Sequence, residues 1–534
     1  MAADIVFLNG TVVPIDDTIT RETPEAVAVT GRFITRVGER SDIQDDIGPD
    51  TRVVDLDGRA LLPGLNDNHT HPMSYGESLG QIDASPDAAP TLAALQAAFA
   101  SGTARATSSG GWLLARGYDD TRLDIHRHPT RQELDVVTGN QPAFLVRACG
   151  HLGVANTAAL RLAGVTSITE DPTGGQIDRN AHGDATGLLR ERAMGLVRAV
   201  IPEVSKDEIK DHLRAAGRRF LADGITSVGE ASIRTSIEFA AYEELAQAGE
   251  LPMRVFTMML IDDTLDDLAA IGLRTGFGDD WLRIGPAKVF QDGSGGGRTA
   301  AMSVDYRNDP GNRGITIYDQ AGLDDRFRRA QAAGFQLAAH AIGDHAIAMI
   351  LTAYERAQAA HPRPDARPRI EHCGMCTPDI LDRMVSLGAI AVPQPAFVHY
   401  LGDSYIENFT PEQLALSYPS RSWFDAGIVS VGSSDVPVVP CHPWTNIRAA
   451  VTRLTSDGQT MSPEQRVTLS EALRMFTMNG AYASFEEERK GAIRVGQLAD
   501  LIVVDRDPYT VAAVELHTIR NHMTVIDGRV VFEA

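Results

Sequence analysis

Short apolar runs crowd both ends of the chain. Val6-Phe7-Leu8 and Thr11-Val12-Val13 flank Asn9-Gly10, a dipeptide suited to a two-residue hairpin. Val27-Ala28-Val29 and Phe33-Ile34 flank Thr30-Gly31-Arg32. Near the other end Leu501-Ile502-Val503-Val504 reads as a strand, and Thr524-Val525-Ile526 and Val530-Val531-Phe532 flank Asp527-Gly528. Two separate small sheets would each have little core. The pattern therefore predicts one small β-sandwich domain built from both termini, residues 1–61 plus 480–534.

Between the ends, apolar runs alternate with stretches of helical periodicity. Strands are predicted over 60–65, 224–229, 253–261, 284–291, 335–340, 369–372, 389–393 and 428–432. Helical pattern over 209–222, 323–333 and 346–359 separates several of them. Strands in this rhythm predict an α/β fold, a (β/α)₈ TIM-like barrel over 62–479. A doubly wound open sheet is the competing architecture, and the sequence has no glycine-rich dinucleotide fingerprint to favour it. The first two strands are separated by residues 72–223, far more than a βα loop requires. This predicts an inserted subdomain at about 80–220, over the mouth of the barrel.

With 534 residues, 43% of them hydrophobic, the chain can bury a large core, and its net charge of −22 disfavours nucleic acid and anionic membrane surfaces as partners. Cys149, Cys373, Cys376 and Cys441 are too sparse for a disulfide scaffold, and the lone Cys373-x-x-Cys376 reads as two reduced thiols. No leader or membrane span is recognisable, so a soluble cytoplasmic protein is expected, with a homodimer as the default assembly.

Candidate chemistry gathers at the predicted strand ends. His69-Thr70-His71 follows the first strand, and alternate residues on a strand share a face. His340 and His372 end two other strands, and Asp435 follows the last. In a barrel these ends converge on one mouth. Histidines and a carboxylate around an open position suit a hydrolytic zinc site. Lys288 lies within the fourth strand, where burial lowers a lysine pKa and makes the amine nucleophilic.

The stretches Leu62-Pro63-Gly64-Leu65-Asn66-Asp67-Asn68-His69-Thr70-His71, Lys288-Val289-Phe290-Gln291-Asp292-Gly293-Ser294, His340-Ala341-Ile342-Gly343-Asp344, Arg369-Ile370-Glu371-His372 and Gly432-Ser433-Ser434-Asp435 resemble the metal-dependent amidohydrolase superfamily, in particular its YtcJ-like, N-substituted formamide deformylase-like branch. The resemblance implies one or two Zn²⁺ ions, with His69 and His71 holding the first and His340 and His372 the second. It implies that N-carboxylated Lys288 bridges them and that Asp435, at the metal-bound water, is the general acid/base. His151, in Ala148-Cys149-Gly150-His151, is a further catalytic and substrate-binding candidate. Tyr118, Asp292, Arg298 and His345 are candidates for contact with substrate. The implied reaction is hydrolysis of an amide-type C–N bond in a small molecule. Lactone or ester hydrolysis, deamination, isomerisation and a non-catalytic regulatory role on the same fold are the alternatives. One stretch departs from the family pattern. Where relatives continue Asp-Gly-Ser-Leu-Gly-Ser-Arg, this chain has Asp292-Gly293-Ser294-Gly295-Gly296-Gly297-Arg298, and the extra glycines are expected to widen the site.

Overall fold

A computed structural model describes residues 2–16, 24–102 and 111–534. The middle of the chain forms a parallel sheet of seven strands that curls into a nearly closed barrel: β1 (Leu65–Thr70), β2 (Ile225–Ile233), β3 (Arg254–Leu260), β4 (Leu282–Phe290), β5 (Leu337–Ala341), β6 (Arg369–His372) and β7 (Ile390–Val392), paired in that order. Residues 428–435 fill the remaining gap. Ser430 bridges Ala391 in parallel, and the Asp435 amide donates to the His69 carbonyl at 2.8 Å. Residues 428–432 thus occupy the eighth position but form only this single bridge rather than a regular strand.

The first barrel strand differs from the one predicted. Residues 60–63 pair with the C-terminal strand Leu501–Val504, and the barrel strand begins only at Leu65. Its polar residues hid it. Asn66, Asp67 and Asn68 are all buried, and their partners are far away in sequence. Asp67 accepts from the Ser434 amide at 2.8 Å, and Asn66 donates to the Thr477 carbonyl at 3.0 Å. A buried polar group that finds such a partner avoids most of its desolvation penalty.

The helices form as their periodicity requires. Lys206–Ala222 starts at Ser205, which with Glu208 makes a capping box, and it buries Ile209, Leu213, Ala216, Gly217 and Phe220 along one face.

The chain ends make two further sheets. One consists of N-terminal strands, Ile5–Leu8, Ala26–Thr30, Phe33–Gly38 and Arg52–Asp55. The other mixes both ends: Thr11–Val12 and Ala60–Pro63 join Leu501–Val504, Asn521–Ile526 and Arg529–Glu533. Phe7, Val27, Ile34, Leu61, Leu501, Val503 and Val525 share one apolar cluster. Asp527 and Gly528 take positive φ and close an antiparallel hairpin. Asn9-Gly10 does not. The strands on either side of it enter different sheets, because Val12 pairs with Leu61 while Phe7 pairs with Val27 and Val54.

Arg254 of β3 ties the barrel to the mixed sheet through a buried bidentate pair with Asp500, at 2.6 and 2.9 Å. Its guanidinium also reaches Asp527 at 3.0 Å. Asp500→Ala would leave a buried cation with Asp527 as its one remaining carboxylate partner. The expected loss is about 3–5 kcal/mol of stability, read as a lower denaturant midpoint. A loss below about 1 kcal/mol would show that Asp527 alone suffices.

The segment between β1 and β2 contains its own six-stranded sheet, ordered Gly175–Arg179, Ala185–Glu191, Leu152–Ala155, Ala143–Arg147, Leu113–Tyr118 and Ile82–Asp83. Separate apolar clusters lie on its two sides. Several of its residues line the cavity at the barrel mouth.

Candidate active site

The C-terminal ends of the barrel strands open into a cavity of about 890 Å³, within the range that holds a small molecule. His69, His71, Lys288, His340, His372 and Asp435 all line it, and His151 and Glu191 reach it from the inserted sheet. His69 lies on β1 and His71 just beyond it, Lys288 on β4, His340 on β5 and His372 at the end of β6. Parallel strand alignment therefore brings five separate stretches of sequence to one place. His372, Cys373 and Asp435 have left-handed backbone conformations, with φ of 69°, 50° and 61°. Such strain in side chains with a Cβ concentrates at functional sites.

Each histidine is oriented from behind. His69 Nδ1 lies 2.6 Å from Glu371 Oε2, and Arg369 Nε donates to the other oxygen of that carboxylate at 2.7 Å. His372 Nδ1 lies 2.7 Å from Gln394 Oε1, and Gln394 is itself tied to Ser433 at 2.9 Å. His71 Nδ1 lies 3.3 Å from Ser232 Oγ and 3.8 Å from Glu230. His340 Nε2 is 3.0 Å from the Gly293 carbonyl. One ring nitrogen of each histidine is thereby held from behind, as metal-binding histidines require, and the Nε2 atoms of His69 and His71 turn toward Asp435.

Burial keeps His69, His71 and His372 neutral. It lowers the pKa of His69 to about 4, aided by the charge of Lys288, and pulls those of His71 and His372 below the usual histidine value. Glu371 is held down at about 2: burial opposes ionisation, but Arg369 and His69 outweigh it. Burial likewise works against the Asp435 carboxylate, yet the hydrogen bond from His71 and the surrounding histidines hold it well below the ordinary carboxylate range. Lys288 is fully buried, with Nζ 3.4 Å from His69 Nε2 and 4.7 Å from the Phe290 ring centroid. His151 is different. Burial disfavours its charge, but Glu191, 2.7 Å away, lifts its pKa to about 9.

The donor set fits a metal ion. His69, His71 and Asp435 offer ligand atoms within 4.8 Å of one another, the one such group among the described residues. Asp435 Oδ1 is 3.2 Å from His71 Nε2 and 3.5 Å from His69 Nε2. Neutral imidazole with carboxylate is a donor set that zinc and similar divalent ions accept.

Residues 52–532 match the amidohydrolase family. The chain belongs to that family. It is a metal-dependent hydrolase acting on C–N bonds. It is 31% identical to the N-substituted formamide deformylase of Arthrobacter pascens, over 99% of this chain and 98% of the relative. YtcJ of Bacillus subtilis (strain 168), an amidohydrolase-family protein, is 29% identical over 95% of this chain and 96% of its own. An uncharacterized metal-dependent hydrolase from Pyrococcus horikoshii OT3 superposes with a TM-score of 0.77 at 26% identity, covering 95% of this chain and 99% of that one. No helix among the described residues is long and apolar enough to cross a membrane.

Four residues expected to contact substrate lie outside the cavity lining of this amidohydrolase. Tyr118 is buried in the inserted sheet, its hydroxyl 3.0 Å from His128 Nδ1. Asp292 is buried too, and its carboxylate accepts from the amides of Ala301, Ile342 and Gly343 at 2.8–3.0 Å, organising the loop after β4. Arg298 turns to Asp309 at 3.6 Å. His345 is exposed near the start of the helix Asp344–Ala360. The extra glycines do not widen the cavity, because other side chains pack onto them. A Cβ on Gly295 would lie 2.9 Å from Phe409, and one on Gly297 2.6 Å from Leu152. Conversely, Glu371, Gln394 and Glu191 escaped the sequence reading. Arg369 and Glu371, two charges on one face of a buried strand, were the available sign.

Proposed function

We propose that this protein hydrolyses the amide-type C–N bond of a small molecule, with N-substituted formamides as the first class to test. The observation that supports this most is the convergence of His69, His71, Lys288, His340, His372 and Asp435 on one cavity. One or two zinc ions would be held there, by His69 and His71 and by His340 and His372, with Lys288 as an N-carboxylated bridge. When bound, the metal makes a water molecule acidic near neutral pH and polarises the substrate carbonyl. Asp435 takes the proton from the attacking water and returns it to the leaving nitrogen, so that the amine departs neutral. His151, held by Glu191, orients the carbonyl or the leaving group as a hydrogen-bond donor. Glu371 and Gln394 keep His69 and His372 in place throughout. The two terminal sheets would act as one β-sandwich domain, residues 1–61 plus 480–534, which the buried Arg254–Asp500 pair secures to the barrel.

The test is a panel of N-substituted formamides, larger amides, lactones and amine-bearing heterocycles, scored for amine and acid release. Amide cleavage is expected to exceed the other reactions. Turnover confined to lactones or ring amines would replace this reading.

A further inference from the structure

Three guanidinium groups face the cavity without an anionic or hydrogen-bonding partner among the described residues. Arg116 stands on the inserted strand Leu113–Tyr118, Arg198 ends the helix Met194–Arg198, and Arg234 follows β2. Among the described residues none of the three side chains makes a hydrogen bond or ion pair, and Arg116 Nε is buried and unsatisfied. Arg192, also on the rim, instead lies over the Tyr318 ring at 5.2 Å. The three groups are near enough to repel: burial, then the charges of Arg116 and Arg234, depress Arg198 to about 10. They also stand close to the catalytic groups. Arg116 acts electrostatically on Asp435 and His71, and Arg234 on Lys288 and over the Phe290 ring at 5.9 Å.

The carboxylates that line the cavity, Glu203, Glu238 and Asp263 among them, form no ion pair with these three side chains among the described residues. Glu191 is engaged by His151, Glu230 by Tyr242, and Asp262 by Arg326 and Tyr318. Glu77 acts on Arg116 and Arg198 at a distance and forms no ion pair with either. In a chain of net charge −22, three unpaired arginines in the one cavity that holds the catalytic residues form a preorganised receptor for an oxyanion, since guanidinium matches carboxylate in a bidentate fork. We propose that the natural substrate is an amide bearing a carboxylate, bound by Arg116, Arg198 and Arg234 while its C–N bond lies at the catalytic residues. This rests on the amide-hydrolase reading above for the chemistry, but not for the binding.

Titration calorimetry separates the two. N-formyl-, N-acetyl- and N-benzoylglycinate are compared with the corresponding neutral glycinamides on the intact protein. At least one glycinate is expected to bind about tenfold or more tightly than its neutral counterpart, as charged hydrogen bonds require. Arg198→Met and Arg234→Met, whose side chains project into the cavity rather than the core, should each erase most of that preference. Arg116→Met should do the same if it folds. Equal binding of both series, undetectable glycinate binding at millimolar concentration, or a preference unchanged in the Arg198 and Arg234 variants would overturn the proposal. Preferential binding without hydrolysis of any amide would leave the anion site standing and remove the amide chemistry. Hydrolysis of neutral amides without anion preference would do the reverse.

Discussion

Lys288→Ala is expected to remove bound metal and activity together, with metal affinity falling by more than about 100-fold, the upper end of what losing a mere supporting residue costs. Lys288 is fully enclosed, and its Nζ sits 3.4 Å from His69 Nε2 in the midst of the histidine cluster. A plain ammonium there would repel any cation. Burial lowers its pKa to about 8, against the charges of Glu371 and Asp435, so a neutral amine is accessible near physiological pH. A neutral amine adds carbon dioxide and loses a proton, giving a carbamate whose oxygens attract cations instead. Metal content after dialysis and the rate of amide hydrolysis are the two readouts. Short carboxylic acids supplied to the alanine variant should restore part of both by filling the vacated position. A variant with full metal and full rate would exclude the bridge and leave a site built from the histidines and Asp435.

Asp435→Asn is expected to lower turnover by about 10²–10⁴-fold, the usual contribution of a general acid–base group, while metal remains bound. The carboxylate lies 3.2 Å from His71 and 3.5 Å from His69 and is kept ionised by them. Asparagine preserves the size and an oxygen donor but cannot accept the proton. A rate loss of less than tenfold at full metal occupancy would assign the base elsewhere.

Much of this site was legible because its ligands end apolar runs. Phe335-Gln336-Leu337-Ala338-Ala339 leads to His340, and Arg369-Ile370-Glu371 to His372, so a local window finds both strand and ligand. Where polar residues are buried in the strand itself, the same window fails. Asn66 and Asp67 sit in the first barrel strand because Thr477 and Ser434 satisfy their side chains from hundreds of residues away, and Arg369 donates to the Asn68 carbonyl beside them. Asn9-Gly10 carries every local sign of a hairpin, yet tertiary pairing sends its two strands into different sheets. Tyr118 and Asp292 looked reactive by type and neighbourhood, but their polar atoms are spent on His128 and on loop amides. Arg116, Arg198 and Arg234 meet only in three dimensions, and no spacing in the sequence links them.

Stripping the protein with a chelator, then titrating zinc while measuring bound metal and amine release from an amide substrate together, tests the metal-dependent reading most directly. Activity should be absent in the stripped protein and rise in proportion to bound metal, up to one or two ions per chain. Undiminished amine release from the metal-free protein, or failure to bind zinc, manganese or cobalt, would contradict it.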